Sequence, residues 1–124
     1  MIRRVYRHRG ALFLESGAEL LNPEIVYHIA GNPERADKPV VWICHALTAN
    51  SNAAAWWPGL VGRGRLFDPA HYTIVCANIL GSCYGTTGPE SLNPETGKKY
   101  LSAFPAISIR DMVQAHMLLR KHLG

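Results

Sequence analysis

Two strongly apolar runs stand out in the pattern of hydrophobic and polar positions along the chain. They cover residues 40–44 and 72–80, and each is followed by small or polar turn residues. Short apolar runs bounded by turns are typical of strands that are buried on both faces, as in a parallel sheet. Ligands of such sheets collect just beyond the carboxyl ends of the strands. Residues 45–50 are therefore the first candidate segment for chemistry.

Weaker patterns predict further elements in the first half of the chain. Residues 11–14 and 24–30 have the composition of strands and are separated by turn signals, so they predict an antiparallel hairpin or meander. Residues 31–39 are polar and contain Pro and Gly, which favours a surface loop. The alanine-rich residues 53–57 predict a short helix.

The clearest helix is predicted at the end of the sequence, over residues 108–124. Ser108 followed by Asp111 is a variant of the capping box, and Gly124 can end the helix. Apolar side chains and one histidine recur at helical spacing and predict its buried face: Ile109, Met112, Val113, His116, Leu119 and Leu123.

A long segment, residues 81–106, separates this helix from the second apolar run. It is rich in Gly, Ser, Thr, Asn and Pro. Loops longer than about 12–15 residues are uncommon in compact domains and are usually functional or disordered. Because the segment carries Cys83, Tyr84, Tyr100 and Phe104, which can pack, we expect it to be ordered and functional.

The order of the predicted elements indicates an α/β fold. A length of 124 residues suits one domain. However, the two buried strands and the apolar face of the last helix require neighbours. We therefore expect residues 1–124 to be the N-terminal part of a single, larger α/β domain that is incomplete at its C-terminal side.

Composition and charge exclude few functions but disfavour some. The net charge of +4 comes from dispersed basic residues and one N-terminal cluster, and no nucleic-acid motif accompanies them. We expect a solvated, partly disordered N-terminus and neither a nucleic-acid nor a membrane partner. The three cysteines favour a reducing, cytoplasmic setting, with Cys44 and Cys76 as buried thiols. The N-terminal cluster comprises Arg3, Arg4, Arg7, His8 and Arg9.

Several blocks of the sequence, in the same order, resemble the homoserine O-acetyltransferases. They are residues 13–17, 43–48, 56–57 with 59–62, 75–89, 93–98, and 104–105 followed by 109–113. The resemblance implies an α/β-hydrolase fold with a mixed, mostly parallel sheet and flanking helices. It also implies transfer of acetyl from acetyl-CoA to L-homoserine through an acyl-serine, an early step of methionine biosynthesis. The full-length enzyme is expected to be a homodimer, with no bound cofactor and no metal.

The same resemblance implies one catalytic group in this chain, the backbone N–H of Leu47. In α/β hydrolases one donor of the oxyanion hole comes from the loop after the strand equivalent to residues 40–44. Thr48 is a candidate to line the substrate pocket. Residues 1–124 contain no G-x-S-x-G motif, so we assign no catalytic Ser, Asp or His and expect the chain to be inactive alone.

Other side chains invite alternative roles. His45 could act as a general base, but its place before the oxyanion donor favours a structural role. Cys83 could be a nucleophile, yet no base is identifiable beside it, which favours packing. His116 is expected to be a satisfied core histidine. Trp56 and Trp57 are expected in the core or in a pocket wall.

Hypotheses of three kinds therefore remain beside acetyl transfer to homoserine. Within the family, the reaction could be acetylation of serine or succinylation of homoserine. From another class, the chain could be a non-catalytic fragment or interaction module that associates with itself through an open sheet edge. A cysteine hydrolase that uses Cys83 is the third.

Overall fold

The computed structural model describes residues 1–34 and 37–124. In chain order the strands and helices are β1 Ile2–Arg7, β2 Ala11–Phe13, β3 Glu19–Leu21, β4 Glu24–Ala30, β5 Val40–Ile43, α1 Ala53–Trp56, β6 Thr73–Ala77, a short 3-10 helix Leu101–Ala103, and α2 Ile109–Leu123. Both apolar runs thus form strands, and the two predicted helices are present. The predicted surface loop falls partly on residues 35 and 36, which lie outside the described residues.

Four strands form one mixed sheet in the order β1-β4-β6-β5. β4 pairs antiparallel with both β1 and β6, whereas β5 pairs parallel with β6. β2 and β3 form a separate two-stranded hairpin, which pairs Leu12 with Leu20. The predicted hairpin therefore exists, but its second strand is β3 and not residues 24–30. The parallel pair brings the carboxyl ends of β5 and β6 to the same edge of the sheet.

The N-terminus is a strand, and the prediction of a partly disordered segment was wrong. β1 pairs with β4 along its whole length, from Ile2 opposite Ile29 to Arg7 opposite Glu24. This pairing satisfies backbone groups of β1 through hydrogen bonds to β4. In addition, Arg7 Nε and Glu24 Oε1 form an exposed ion pair at 2.6 Å. Charged side chains are common on edge strands, where they discourage pairing with other chains. The basic cluster therefore marks an edge strand.

The core lies on both faces of the sheet. On the face covered by α2 and the hairpin, the cluster includes Ile25, Tyr27, Val75, Ala77 and Leu119. On the other face, Ile43, Ala53, Val61, Ile74 and Cys76 pack together. All five residues of β6 are buried, as its apolar run predicts.

β5 differs from this prediction because it has only one strand neighbour in the described part of the chain. Val40 is 63% exposed, and only Ile43 of the strand is buried. Cys44, which follows the strand, is exposed, so the expectation of a buried thiol was wrong there. Cys76 lies in the central strand β6 and is buried, as expected.

The capping box of α2 is confirmed by two reciprocal hydrogen bonds. The Asp111 N–H donates to Ser108 Oγ at 3.2 Å, and the Ser108 N–H donates to Asp111 Oδ2 at 2.8 Å. Asp111 Oδ1 also accepts the Glu15 N–H at 3.0 Å, which ties the helix to the hairpin. These bonds hold the pKa of the Asp111 carboxyl below its usual range, chiefly through the Ser108 backbone.

The buried face of α2 is rotated from the one predicted. Asp111, Ala115 and Leu119 are buried, whereas Ile109 is 73% and Val113 is 55% exposed. The Asp111 carboxylate is drawn inward by its hydrogen bonds to the Ser108 and Glu15 N–H groups, and the small Ala115 sits fully buried in the core. The pattern of apolar residues alone did not carry that information.

Removal of the cap should weaken the fold by a modest, measurable amount. We expect Ser108→Ala to lower the free energy of unfolding by about 1 kcal/mol, because the Asp111 N–H loses its acceptor. Urea unfolding would measure the loss. Ser102→Ala is the matched control, since Ser102 is exposed. Equal effects of the two substitutions would contradict a capping role.

The long segment after β6 is ordered, as expected. Its Thr86 hydroxyl accepts the Val26 N–H at 3.0 Å and donates to the Asn78 carbonyl at 3.1 Å. Thr87 exchanges two hydrogen bonds with Glu24, each of 2.8 Å. Threonine side chains thus join the segment to the start of β4 and to the end of β6.

Candidate functional site

The loop between β5 and α1 presents a backbone donor to solvent at the carboxyl end of the sheet. The Ala49 N–H donates to the Ala46 carbonyl at 2.9 Å and closes a turn with Leu47 and Thr48 at its centre. Leu47 is 93% exposed. Its N–H makes no hydrogen bond within the described part of the chain. The predicted oxyanion donor is therefore available to a ligand.

The far end of this loop is held by the buried side chain of Asn78, which follows β6. Asn78 Oδ1 accepts the Ser51 N–H at 2.7 Å, and Asn78 Nδ2 donates to the Tyr84 carbonyl at 3.1 Å. Trp56 Nε1 donates to the Asn50 carbonyl at 2.8 Å. One amide thus links the segments that follow the two parallel strands.

Tyr84 places the long segment beside the loop. Its hydroxyl lies 3.5 Å from the Thr48 carbonyl, a long contact for an O–H donor, and the residue is 41% exposed. The Thr48 side chain is also exposed. The structure brings Leu47, Thr48 and Tyr84 together, and a substrate-binding role for Thr48 stays a prediction.

The His45 side chain is buried, although the residues that directly follow it in the loop are exposed. The residue is 7% exposed, and its Nδ1 donates to the Ala46 carbonyl at 2.8 Å. Its Nε2 is buried and has no hydrogen-bond partner among the described residues. A general base needs an accessible nitrogen within reach of the proton it removes. The geometry therefore favours the structural interpretation.

Two other histidines near the loop have pKa values below that of a free imidazole. Burial, followed by the positive charges of the N-terminal ammonium and Arg3, lowers the pKa of His28, whose Nδ1 lies 2.8 Å from Ser51 Oγ. Burial also lowers the pKa of His116, an effect that the Asn78 backbone partly offsets. His116 Nε2 is buried and has no hydrogen-bond partner in the part of the chain that the structure describes, so the expectation of a satisfied core histidine was wrong.

These histidines should make the fold sensitive to mild acid. A base with a lowered folded-state pKa contributes stability that is present above its unfolded value of about 6.5 and is lost as pH falls through the folded value. We expect the free energy of unfolding in urea to be smaller at about pH 5.5 than at about pH 7.5. His116→Asn should reduce this difference, because one of the two groups is removed. An unchanged difference would contradict the assignment.

The cysteines offer no assembled nucleophile. Burial raises the pKa of the Cys76 thiol to about 12, which keeps it protonated. Cys83 is exposed, which does not support the expected role in structural packing. All three thiols are free, and no group of three or more potential metal ligands occurs among residues 1–34 and 37–124. No helix in the same residues is long and apolar enough to cross a membrane.

An apolar groove of about 570 Å³ runs between the exposed edge of β5 and α2. Val40, Trp42, Val113, Met117 and Leu123 contribute much of its lining. Neither tryptophan of the pair at 56–57 is among the residues that line this groove. Trp56 is half-buried against the cluster of Ile43 and Ala53, as expected, whereas Trp57 is 45% exposed and stacks on the Trp56 ring with ring centres 5.4 Å apart. The groove thus extends along the side of the sheet that has no further strand in the described residues.

Sequence analysis missed Asn78 and Tyr84 as parts of the site. A signal for Asn78 was present: it is a polar residue inside an otherwise apolar run, and buried polar groups are almost always hydrogen-bonded. For Tyr84 there was no comparable signal, because its position depends on the path of the long segment.

Comparison with known proteins decides the family. No protein-family model matches the chain. The homoserine O-acetyltransferase of Moorella thermoacetica is 48% identical over 131 residues, an alignment that covers 98% of this chain and 35% of the relative. That of Cyclobacterium marinum is 44% identical over 124 residues, which cover 100% of this chain and 35% of the relative. The chain is a homologue of the homoserine O-acetyltransferases.

Solved structures confirm the α/β-hydrolase fold. The homoserine O-acetyltransferase from Bacillus anthracis superposes with a TM-score of 0.86 at 27% identity, over 99% of this chain and 37% of that one. Esterase E22 superposes with a TM-score of 0.87 at 27% identity, over 99% of this chain and 38% of that one. The chain spans about a third of the length of the curated relatives it matches. The same framework therefore occurs in relatives named as acetyltransferases and as esterases.

Proposed function

We propose that the protein containing this chain transfers acetyl from acetyl-CoA to the hydroxyl of L-homoserine. The observation that carries the proposal is the exposed Leu47 N–H at the carboxyl end of the sheet, in a chain 48% identical to a homoserine O-acetyltransferase. A fixed backbone donor at this place suits stabilisation of an oxyanion. We also propose that the full-length enzyme is a cytoplasmic homodimer that acts in methionine biosynthesis.

The proposed reaction has two acyl-transfer steps. A serine hydroxyl, which we do not assign to residues 1–124, attacks the thioester carbonyl and gives up its proton to a base. The thioester oxygen then carries a negative charge, which the Leu47 N–H stabilises until the C–S bond breaks and CoA leaves as the thiol. The homoserine hydroxyl attacks the acyl-serine through a second oxyanion and regenerates the serine.

The proposal assigns residues 1–124 to one part of a larger domain and not to an independent enzyme. The relatives are about three times as long as the matched segment. The exposed β5 edge and the apolar groove beside it supply surfaces on which the remaining part can pack. We therefore expect no turnover from residues 1–124 alone.

The test uses the full-length protein encoded by the reading frame that contains these residues. Release of CoA thiol from acetyl-CoA should require L-homoserine, and mass spectrometry should find O-acetylhomoserine. L-serine as acceptor, or succinyl-CoA as donor, should support rates at least about tenfold lower, equivalent to ~1.4 kcal/mol of transition-state discrimination. Preference for L-serine would indicate a serine acetyltransferase, and preference for succinyl-CoA would indicate a homoserine succinyltransferase.

Ester hydrolysis is the second candidate, because Esterase E22 matches the fold as well as the acetyltransferase from Bacillus anthracis does. Acetyl-CoA or acetyl-ester cleavage at the same rate with and without homoserine would indicate a hydrolase. No acyl chemistry, together with concentration-dependent self-association in light scattering, would favour the non-catalytic module. Labelling of Cys83 by a thiol-reactive acyl probe at neutral pH would support the cysteine hydrolase instead.

A further inference from the structure

We propose that His45 is a positioning residue that orients the Leu47 N–H for oxyanion binding. The inference deepens the proposed function and rests on it only for the identity of the substrates. The orientation of the donor would matter for any acyl transfer at this loop.

The first step is the double hydrogen bonding of one carbonyl. The Ala46 carbonyl accepts from His45 Nδ1 at 2.8 Å and from the Ala49 N–H at 2.9 Å. Both of its acceptor sites are thereby used. One donor is a backbone N–H of the turn itself, whereas the other is the buried side chain of His45.

The second step follows from the planarity of the peptide bond. The Ala46 carbonyl and the Leu47 N–H belong to the same peptide unit, which is trans, so they point in opposite directions. Two donors that hold the carbonyl oxygen on one side therefore hold the N–H on the other. His45 fixes the direction of the donor without touching it.

The third step concerns the ring itself. A carbonyl oxygen can only accept, so Nδ1 carries the proton in this hydrogen bond. His45 is 7% exposed and its Nε2 has no partner among the described residues. The Ala46 carbonyl is thus the one polar group in residues 1–34 and 37–124 that this imidazole is seen to bind. A buried ring with a single polar contact is well suited to hold that contact rigidly.

The fourth step explains why the hydrogen bond from His45 is needed. Ala46, Leu47 and Thr48 are all exposed, so packing does little to restrain the tip of the loop. Stabilisation of an oxyanion depends on donors that are already aligned before charge develops. If the bond from His45 is lost, the turn hydrogen bond alone must hold the peptide, and the N–H samples more directions.

The experiment compares three variants of the full-length protein. His45→Asn places an amide N–H near the position of Nδ1, whereas His45→Leu and His45→Gln do not. We expect kcat with acetyl-CoA and with p-nitrophenyl acetate to fall about 10- to 100-fold in the Leu and Gln variants, below the effect of losing the donor itself. KM should stay within about threefold, and His45→Asn should recover kcat to within about threefold of the wild type.

A second measurement does not depend on activity. In protein labelled with ¹⁵N-leucine, the order parameter of the Leu47 amide should be near about 0.85 in the wild type and in His45→Asn, and below about 0.6 in His45→Leu. An equally ordered amide in His45→Leu overturns the inference. So does a His45→Asn variant as slow as His45→Leu, because the ring would then act by shape and not by donation.

Failure of the proposed function gives a different result. Wild-type protein that ignores homoserine but cleaves p-nitrophenyl acetate contradicts the acetyltransferase proposal, while the three variants still separate on the ester. If the wild type cleaves neither substrate, the order parameters alone decide whether His45 orients the Leu47 N–H.

Discussion

Leu47→Pro is expected to lower kcat of the full-length protein by about 10²–10³-fold while leaving the fold intact. Proline has no N–H, so the substitution deletes the proposed oxyanion donor. No hydrogen bond among the described residues is lost, because the Leu47 N–H donates to none of them. Steady-state rates with acetyl-CoA and L-homoserine would measure the loss.

The local structure should accept this proline. Leu47 is 93% exposed and occupies the first central position of the turn that the Ala49 N–H closes on Ala46. That position favours proline in the common turn types. The unfolding midpoint in urea should therefore change little, which separates a catalytic effect from a structural one.

Leu47→Ala is the matched control, because it keeps the backbone N–H and shortens only the exposed side chain. Its kcat should remain within a few-fold of the wild type. If the alanine variant is as slow as the proline variant, the side chain and not the backbone would be the important group. If Leu47→Pro keeps full activity, the assignment of the oxyanion donor is wrong.

Asn78→Ala should cause the largest loss of stability among the changes near the site. The side chain is 2% exposed, and its removal leaves the Ser51 N–H and the Tyr84 carbonyl without their partners. An unsatisfied buried group costs about 1–3 kcal/mol. Because the bond to Ser51 is buried and the bond to Tyr84 is only partly buried, we expect the free energy of unfolding to fall by roughly 2–4 kcal/mol. Urea unfolding at neutral pH would measure it.

Two further variants identify the cause of this loss. Asn52→Ala changes a partly buried asparagine whose side chain forms no capping bond, so its effect should stay within about 0.5 kcal/mol. Asn78→Asp keeps the acceptor for the Ser51 N–H but opposes the Tyr84 carbonyl with a carboxylate oxygen, and should remain destabilising. A loss in Asn78→Ala no larger than that in Asn52→Ala would contradict the bridging role.

Local patterns predicted the elements well where a strand or helix is decided by its own residues. The run that contains β6 is mostly apolar because that strand is covered on both faces. The cap of α2 was predictable because Ser108 and Asp111 satisfy each other within one turn. In both cases the residues of the element itself carry the signal that predicts it.

Strand order itself could not be predicted in this way. The apolar run of β5 resembles that of β6, yet in the described residues β5 is an edge strand and its following residue, Cys44, is exposed. The arginines of β1 resemble a solvated tail, yet the strand gains its order from β4, whose paired residues lie 17 to 27 positions further along the sequence. Such long-range pairing depends on neighbours that no short window contains.

The candidate site was likewise only partly predictable from the sequence. Leu47 came from a family resemblance, and the residues alone indicated only that chemistry should lie after β5. The supports of the loop were not predictable from spacing, because Asn78 lies 27 positions from Ser51, whose N–H it binds. His45 was noticed, but its role changes once the ring is seen bound to the Ala46 carbonyl.

The order β1-β4-β6-β5 also has a consequence for synthesis on the ribosome. β1 and β4 can pair as soon as residue 30 has been made, but β5 has no partner until residues 73–77 follow. At roughly 5–20 residues per second, the β5 segment waits about 2–7 s with its apolar side chains uncovered. β6 is thus the last strand of this segment to be translated, and both β4 and β5 pair with it, so the sheet cannot be completed before that interval has passed.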